Sequence, residues 1–302
     1  MTNPTIGNGK CAVIGHGSWA TAIVKILSER GLEVHWYVRN GEVLESLRTR
    51  GRNCKYLRDV RFDASRLELT DDIDVAVRQA DTVVLAVPSA FLKEFLRPLS
   101  TPLCDRFVIS AIKGIIPDEY QTVTDYMSQR YGIPDDRMGI ITGPSHAEEV
   151  GREGLSYLTA VCSDERRARE FGAMFATDYI RLSYSTDTIG VEYAAIMKNI
   201  YAIAVGFAVG LGYGDNFLAV LISNCAMEMN LFLNSRFPAE RNTRRSAYLG
   251  DLLVTCYSTY SRNRRLGLLI GHGCTVKSAL NEMTMIAEGY FAADCIRHVR
   301  TP

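Results

Sequence analysis

An α/β domain on a mostly parallel sheet, followed by an all-α domain, is the fold the sequence predicts. Three observations predict it. From Lys10 to about Ser183, short β-branched runs alternate with segments whose apolar residues recur at helical spacing, the grammar of a parallel sheet covered by helices. A glycine-rich turn joins the first strand to the first helix. After about Thr186 the strand signals fade and long helical patterns take over. At 302 residues the chain can hold two cores, and the expected domains are 1–185 and 186–302.

In order, strands are expected at Cys11–Ile14, Val34–Val38, Thr82–Val87, Phe107–Ser110, Met138–Thr142, Tyr157–Val161 and Tyr179–Leu182. Helices are expected at Trp19–Arg30, Phe91–Leu99, Glu119–Tyr131 and Asp164–Ala176. In the second domain, glycines at Gly206–Gly214, Gly250 and Gly267–Gly273 read as punctuation between helices.

Composition narrows the function. Lys plus Arg equals Asp plus Glu at 34 each, so no basic field invites nucleic acid and any anion site must be local. The eight cysteines stand singly with no CxxC, which fits reduced thiols in a cytoplasm better than a disulfide frame or a zinc site. His16, His35, His272 and His298 show no metal-ligand spacing, so no metal is expected. The N-terminus, MTNPTIGNGK, has no signal-peptide pattern. The apolar stretch Ile196–Ile222 is interrupted by Lys198, four glycines and Asp215, so no transmembrane segment is expected.

The turn in CAVIGHGSWATAIVKILSERGLEVHWYVRN carries the first chemistry. Gly15, Gly17 and Ala20 match G-x-G-x-x-G/A between a strand and a helix. Gly15 permits the tight turn, Gly17 lets a pyrophosphate approach the backbone, and Ala20 lets helix and strand pack closely. Free N–H groups and the helix dipole then hold phosphate. The alternative is a βα turn without a ligand. An acid usually follows the second strand to meet the ribose 2′-hydroxyl, whereas an arginine accommodates a 2′-phosphate. Arg39 stands there, which suggests that NADPH is tolerated or preferred, unless Arg39 is only a solvated strand end. Lys113 follows a later strand, near where a nicotinamide ring could lie.

In the second half three segments are polar where a core pattern calls for apolar residues: Met197–Asn199, Leu249–Leu252 and Ser261–Arg265. Lys198 lies on a small apolar helical face with no acid three or four places away. It either snorkels to solvent or meets a partner from elsewhere, because an unpaired buried ammonium is costly. Asp251 could be a helix N-cap. SRNRR could be a charged helix start on the surface, and Gly212–Asn216 could simply end one helix and begin the next.

These residues together resemble the NAD(P)-dependent glycerol-3-phosphate dehydrogenases of the bacterial type. The likeness runs in order through VPS (Val87–Ser89), AIKG (Ala111–Gly114), TGPSHAEEV (Thr142–Val150), GVEYAAIMKN (Gly190–Asn199) and GLGYGDN (Gly210–Asn216). It continues through LGDLLVTC (Leu249–Cys256), SRNRRLG (Ser261–Gly267) and AEGY (Ala287–Tyr290). It implies a Rossmann-like domain followed by an all-helical one, with the active site between them. It implies NADP or NAD as cofactor, and interconversion of dihydroxyacetone phosphate and sn-glycerol 3-phosphate for glycerophospholipid synthesis. By resemblance Lys198 is the proton donor and acceptor, Asp251 its partner, and Lys113 a contact to both substrate and nicotinamide. Gly143 and Ser145 then touch the substrate, and Ser261, Arg262 and Asn263 receive its phosphate end. Arg262 also reaches the cofactor, which Gly15, Gly17, Ser18, Trp19, Arg39, Ala147, Ile286 and Glu288 line. His146 lies inside a matching motif without an assigned task. A cytoplasmic homodimer acting on a small phosphorylated substrate is the expected setting.

The family usually continues past Arg300-Thr301-Pro302 into further helical segments: either the second domain is shortened and exposes apolar surface, or the chain as given is incomplete, which leaves its full activity open. The residue after the second strand varies in the family, which leaves the choice between NADH and NADPH open. Two other readings compete. A related dehydrogenase of a 3-hydroxy acid or ketopantoate shares the turn and the helical half, but SRNRR and GDLLVTC speak for a phosphate. A non-catalytic dinucleotide sensor predicts loss of Lys113, Lys198 and Asp251, all of which are present.

Overall fold

The computed structural model describes residues 9–283 and 285–299. The N-terminal decapeptide read for a signal falls mostly outside them, as does the chain end at 300–302. Two compact units emerge. One comprises residues 1–87, 91–112 and 124–188, the other 88–90, 113–123 and 189–302. The main division thus falls at 188/189, and two short segments from the first half, carrying Ser89 and Lys113, are counted with the helices.

The first unit is one eight-stranded sheet of β1 (Cys11–Ile14), β2 (Val34–Tyr37), β3 (Leu67–Thr70), β4 (Thr82–Leu85), β5 (Phe107–Ser110), β6 (Met138–Thr142), β7 (Ser156–Val161) and β8 (Ile180–Ser185). Their spatial order is β3-β2-β1-β4-β5-β6-β7-β8. All neighbours are parallel except β6 and β7. Strands β1, β2, β4 and β5 are buried throughout, as parallel strands covered on both faces must be. The chain order reverses between β1 and β4, the switch point where such sheets bind ligands beyond their carboxyl ends.

The flanking helices are α1 (Ser18–Glu29), α2 (Gly41–Arg50), α3 (Ile73–Arg78), α4 (Leu92–Leu96), α5 (Val123–Tyr131), α6 (Ala147–Gly151) and α7 (Glu165–Gly172). β3, α2 and α3 are not among the elements expected from the sequence, nor is the short α6. β3 is LELT, a partly exposed edge strand without a β-branched run. Helices α2 and α3 carry their signals in their caps. Asn40 Oδ1 accepts from Val43 N–H and Gly51 ends α2 in the left-handed region, while Asp72 caps α3. The helix expected from Glu119 begins only at Val123, because Ile116 pairs with Gln121 in a tight turn.

The second unit is helical: α8 (Thr188–Gly210), α9 (Asp215–Arg236), α10 (Asp251–Tyr257), α11 (Arg262–Gly271), α12 (Val276–Glu282) and α13 (Glu288–Cys295). A π-helical turn, Ser246–Gly250, leads into α10. The stretch Ile196–Ile222 is not one span: it breaks at Leu211–Gly214, between α8 and α9. Both helices are nonetheless long and apolar enough to cross a bilayer, with 67% of the most apolar window of α8 buried and 28% of that of α9. Phe217, Val220, Met227 and Leu231 of α9 are exposed.

Several second-domain glycines are contacts rather than punctuation. A Cβ at Gly206 would collide with the Arg264 carbonyl, and one at Gly267 with the Ile203 carbonyl. Gly210 and Gly271 meet backbone to backbone in the same way. Two GxxxG faces thus bring α8 against α11 and fix the start of α11, where Ser261–Arg265 lie.

Candidate functional site

The glycine turn of the sheet unit is held from three sides. Gly15 has φ +125°, a conformation that favours glycine, and a Cβ there would collide with the Ala86 carbonyl beyond β4. Trp36 Nε1 donates to Gly15 O at 2.6 Å. Asn53, fully buried, donates to His16 O at 3.0 Å and Thr21 Oγ1 at 2.9 Å. Its Oδ1 accepts from the Lys55 and Tyr56 N–H groups. No sequence motif singled out Trp36 or Asn53; a lone asparagine in a loop carries no periodic signal.

These residues fit a dinucleotide. Nothing lies within 4 Å of where a Cβ of Gly17 would stand, and no side chain caps α1, so a phosphate can approach the helix N-terminus. Buried His16 Nδ1 and Trp19 Nε1 have no hydrogen-bond partner among the described residues. Burial, then Arg39 and Lys55, lowers the His16 pKa to about 4, so its ring is neutral near pH 7. Ser18 and Ala147 are buried at the starts of α1 and α6. Arg39 follows β2 and pairs with Glu94. Past β6, Gly143 has φ +109° and accepts from Ser145 Oγ at 2.9 Å.

The helical unit gathers the second set. Lys198, in the middle of α8, is 4% exposed, so it does not snorkel. Its Nζ donates to Asp251 Oδ1 at 2.6 Å and to Thr255 Oγ1 at 3.1 Å. Lys113 Nζ lies 3.3 Å from the other oxygen, Asp251 Oδ2. Asp251 is the first residue of α10, but its side chain bridges two ammonium groups instead of capping the helix. Thr255 Oγ1, one turn on, donates to Asp251 O. Burial lowers the Lys198 pKa, and Lys113 adds to that; Asp251 pulls the other way, and the balance stands at about 8. Burial would raise the Asp251 carboxyl, but Lys113 and Lys198 outweigh it and hold it below the usual carboxylate range.

A buried amide relay fixes Lys113. Gly289 N–H donates to Asn263 Oδ1 at 2.9 Å, Asn263 Nδ2 to Asn199 Oδ1 at 2.9 Å, and Asn199 Nδ2 to Lys113 O at 2.7 Å. Asn263, expected at the phosphate end, is therefore also a link in this relay. Asn199 received no task from the sequence, although it adjoins Lys198. Ser261 is the N-cap of α11, its Oγ accepting from Arg264 N–H at 3.3 Å. Arg262 and Asn263 thus open a helix, and Asn263 is buried rather than on a charged surface. At the start of α13, Glu288 accepts from Ser89 N–H at 2.8 Å and from its hydroxyl. Burial raises the Glu288 carboxyl, with Ser89 and then Arg262 opposing. Ile286 lies partly buried two residues before it. Among the described residues no three His, Cys, Asp or Glu side chains gather as metal ligands.

Residues 10–168 match the family model for the NAD-dependent glycerol-3-phosphate dehydrogenase N-terminus, and residues 187–301 match that for its C-terminus. The chain belongs to the NAD-dependent glycerol-3-phosphate dehydrogenase family. Over 295 residues it is 34% identical to a glycerol-3-phosphate dehydrogenase of Staphylococcus haemolyticus named for NAD(P)+, covering 96% of this chain and 88% of that one. A second such enzyme, from Salinibacter ruber, is 36% identical over 281 residues, with coverage of 92% and 81%. Among solved structures, glycerol-3-phosphate dehydrogenase from Coxiella burnetii superposes with a TM-score of 0.87 at 27% identity, covering 96% and 88% of the two chains. A ketopantoate reductase from Ralstonia solanacearum reaches a TM-score of 0.56 at 14% identity, a likeness of fold alone.

Proposed function

We propose that Lys198, Asp251 and Lys113 carry the reaction of this family in this chain. The chain is an oxidoreductase that interconverts dihydroxyacetone phosphate and glycerol 3-phosphate with NAD(P)H. The observation that supports the assignment is the buried Asp251 carboxylate, held between two lysines. When bound, the reduced nicotinamide supplies a hydride to the carbonyl carbon. Charge then develops on the carbonyl oxygen, and the Lys198 ammonium stabilises that charge and gives it the proton. In the reverse direction neutral Lys198 takes the proton from the hydroxyl. Asp251 keeps both lysines aimed and offsets their mutual repulsion. Lys113 adds a second cation that donates to the substrate.

Arg262 meets the phosphate end because its planar fork donates two hydrogen bonds to an oxyanion. Ser261 and Asn263 act with it at the α11 N-terminus, and Gly143 and Ser145 contact the substrate. Gly15, Gly17, Ser18, Trp19, Ala147, Ile286 and Glu288 hold the dinucleotide, with Arg39 beside the ribose 2′ position so that NADPH is accepted. A homodimer in the cytoplasm is the setting of this reading. The test follows nicotinamide absorbance with dihydroxyacetone phosphate in wild type and Lys198→Ala. Loss of about 10²–10⁴ in kcat is expected, and near-normal turnover would remove Lys198 from the role. Arg262→Ala raises KM for the phosphate substrate far more than Kd for the cofactor.

A further inference from the structure

The end of β2 carries both signs of charge, and the negative one comes from a different element. Arg39 Nη1 donates to Glu94 Oε1 at 2.8 Å, and the guanidinium lies 4.1 Å over the Phe95 ring. Phe95 is buried and also meets the rings of His16 and Tyr37. Glu94 and Phe95 are neighbours in α4, 55 residues beyond Arg39, so no motif at the strand end reveals them. The Arg39 and Glu94 side chains are 41% and 50% exposed, open to a ligand arriving from solvent.

We propose that Glu94 tunes cofactor choice at this position by competing with a 2′-phosphate for Arg39 and by offering an acceptor to a 2′-hydroxyl. The proposal rests on the reading of Arg39 given above. In a dinucleotide-binding sheet an acid after the second strand accepts from the ribose hydroxyl. Here Arg39 stands two residues beyond the end of β2, and the carboxylate arrives from α4. Phe95 holds the guanidinium on its face, so Arg39 presents a fixed edge that Glu94 already engages. A 2′-phosphate must share or displace that contact, which gathers two anions around one cation. A ribose diol brings no charge: its hydroxyl donates to Glu94 while Arg39 stays paired. Glu94 therefore weakens NADPH binding and supports NADH binding, so both cofactors remain usable.

The experiment measures Kd for NADPH and NADH by titration calorimetry on the full chain, in wild type, Glu94→Gln and Arg39→Ala. Glutamine keeps the shape and removes the charge. Because the pair is solvent-exposed, the expected effect is modest: the NADPH Kd falls about two- to fivefold in Glu94→Gln, and the NADH Kd stays or rises. Arg39→Ala moves the ratio the opposite way. A ratio unchanged in Glu94→Gln, or moved toward NADH, while Arg39→Ala still shifts it, overturns the role of Glu94 and leaves Arg39 in place. A ratio unchanged in both variants overturns the reading of Arg39 and this inference with it.

Discussion

At Lys198 two opposing influences set the proton affinity, and their balance is measurable. Burial and Lys113 push its pKa down while Asp251 pushes it up, and about 8 results. Ketone reduction needs the ammonium, so kcat/KM in that direction should hold steady below pH 8 and fall about tenfold per pH unit above it. Alcohol oxidation needs the free amine, so it should rise toward pH 8 and level off beyond. A pH-independent reduction rate from pH 7 to 10 would remove the lysine as proton donor. Asp251→Asn deletes a carboxylate charge that lies at hydrogen-bond distance from both ammonium groups. The limb for reduction should then move to lower pH by roughly 1–3 units, and a limb that stays in place would show that Asp251 only shapes the pocket. The lysine was legible in sequence because a charge on an apolar helical face needs a partner. Pattern alone left Asp251 either a partner or a cap, since an acid at a helix start is equally a cap, and only the family resemblance paired it with Lys198. The relay through Asn263 and Asn199 was not legible, because amide-to-amide contacts join three helices and a loop with no common spacing.

Elements reveal where glycine means something other than a break. In α8 and α11 the glycines sit at i, i+4 and let two backbones touch, and a one-dimensional reading sees only helix interruption there. Gly267→Ala should cost about 1–3 kcal/mol by urea unfolding, because the new methyl meets the Ile203 carbonyl and cannot be accommodated without separating the helices. Gly41→Ala is the contrast. It lies at the start of α2 with nothing within 4 Å of the new Cβ, so stability should hold or rise by up to about 1 kcal/mol. A gain in Gly267→Ala equal to that in Gly41→Ala would mean that helix propensity, not close approach, governs these sites. The same limit explains the missed elements. Core strands announce themselves by unbroken apolar runs, whereas β3 at the sheet edge mixes Leu67 and Leu69 with Glu68 and Thr70 and has no such run.

For the whole molecule, the order of a sheet unit followed by a helical unit was readable from the change of periodicity near 186. The membership of Pro88–Ala90 and Lys113–Val123 in the helical unit was not, because these segments sit between strands and owe their allegiance to contacts such as Ser89 with Glu288 and Lys113 with Asp251. The glycine turn therefore belongs to one core and Lys113, Lys198 and Asp251 to another, and a ligand that binds the turn should stabilise the fold by mass action. At a hundredfold excess of NADPH over its Kd the gain is about 2.7 kcal/mol, visible as a rise in Tm. Gly17→Val puts its Cβ where nothing lies within 4 Å, and its branched side chain should block the approach of the pyrophosphate to the helix N-terminus. That variant should melt near wild type without cofactor and show no rise with NADPH. A rise equal to that of wild type would place the dinucleotide elsewhere, and a much lower Tm without cofactor would mean that Gly17 serves the fold rather than the ligand.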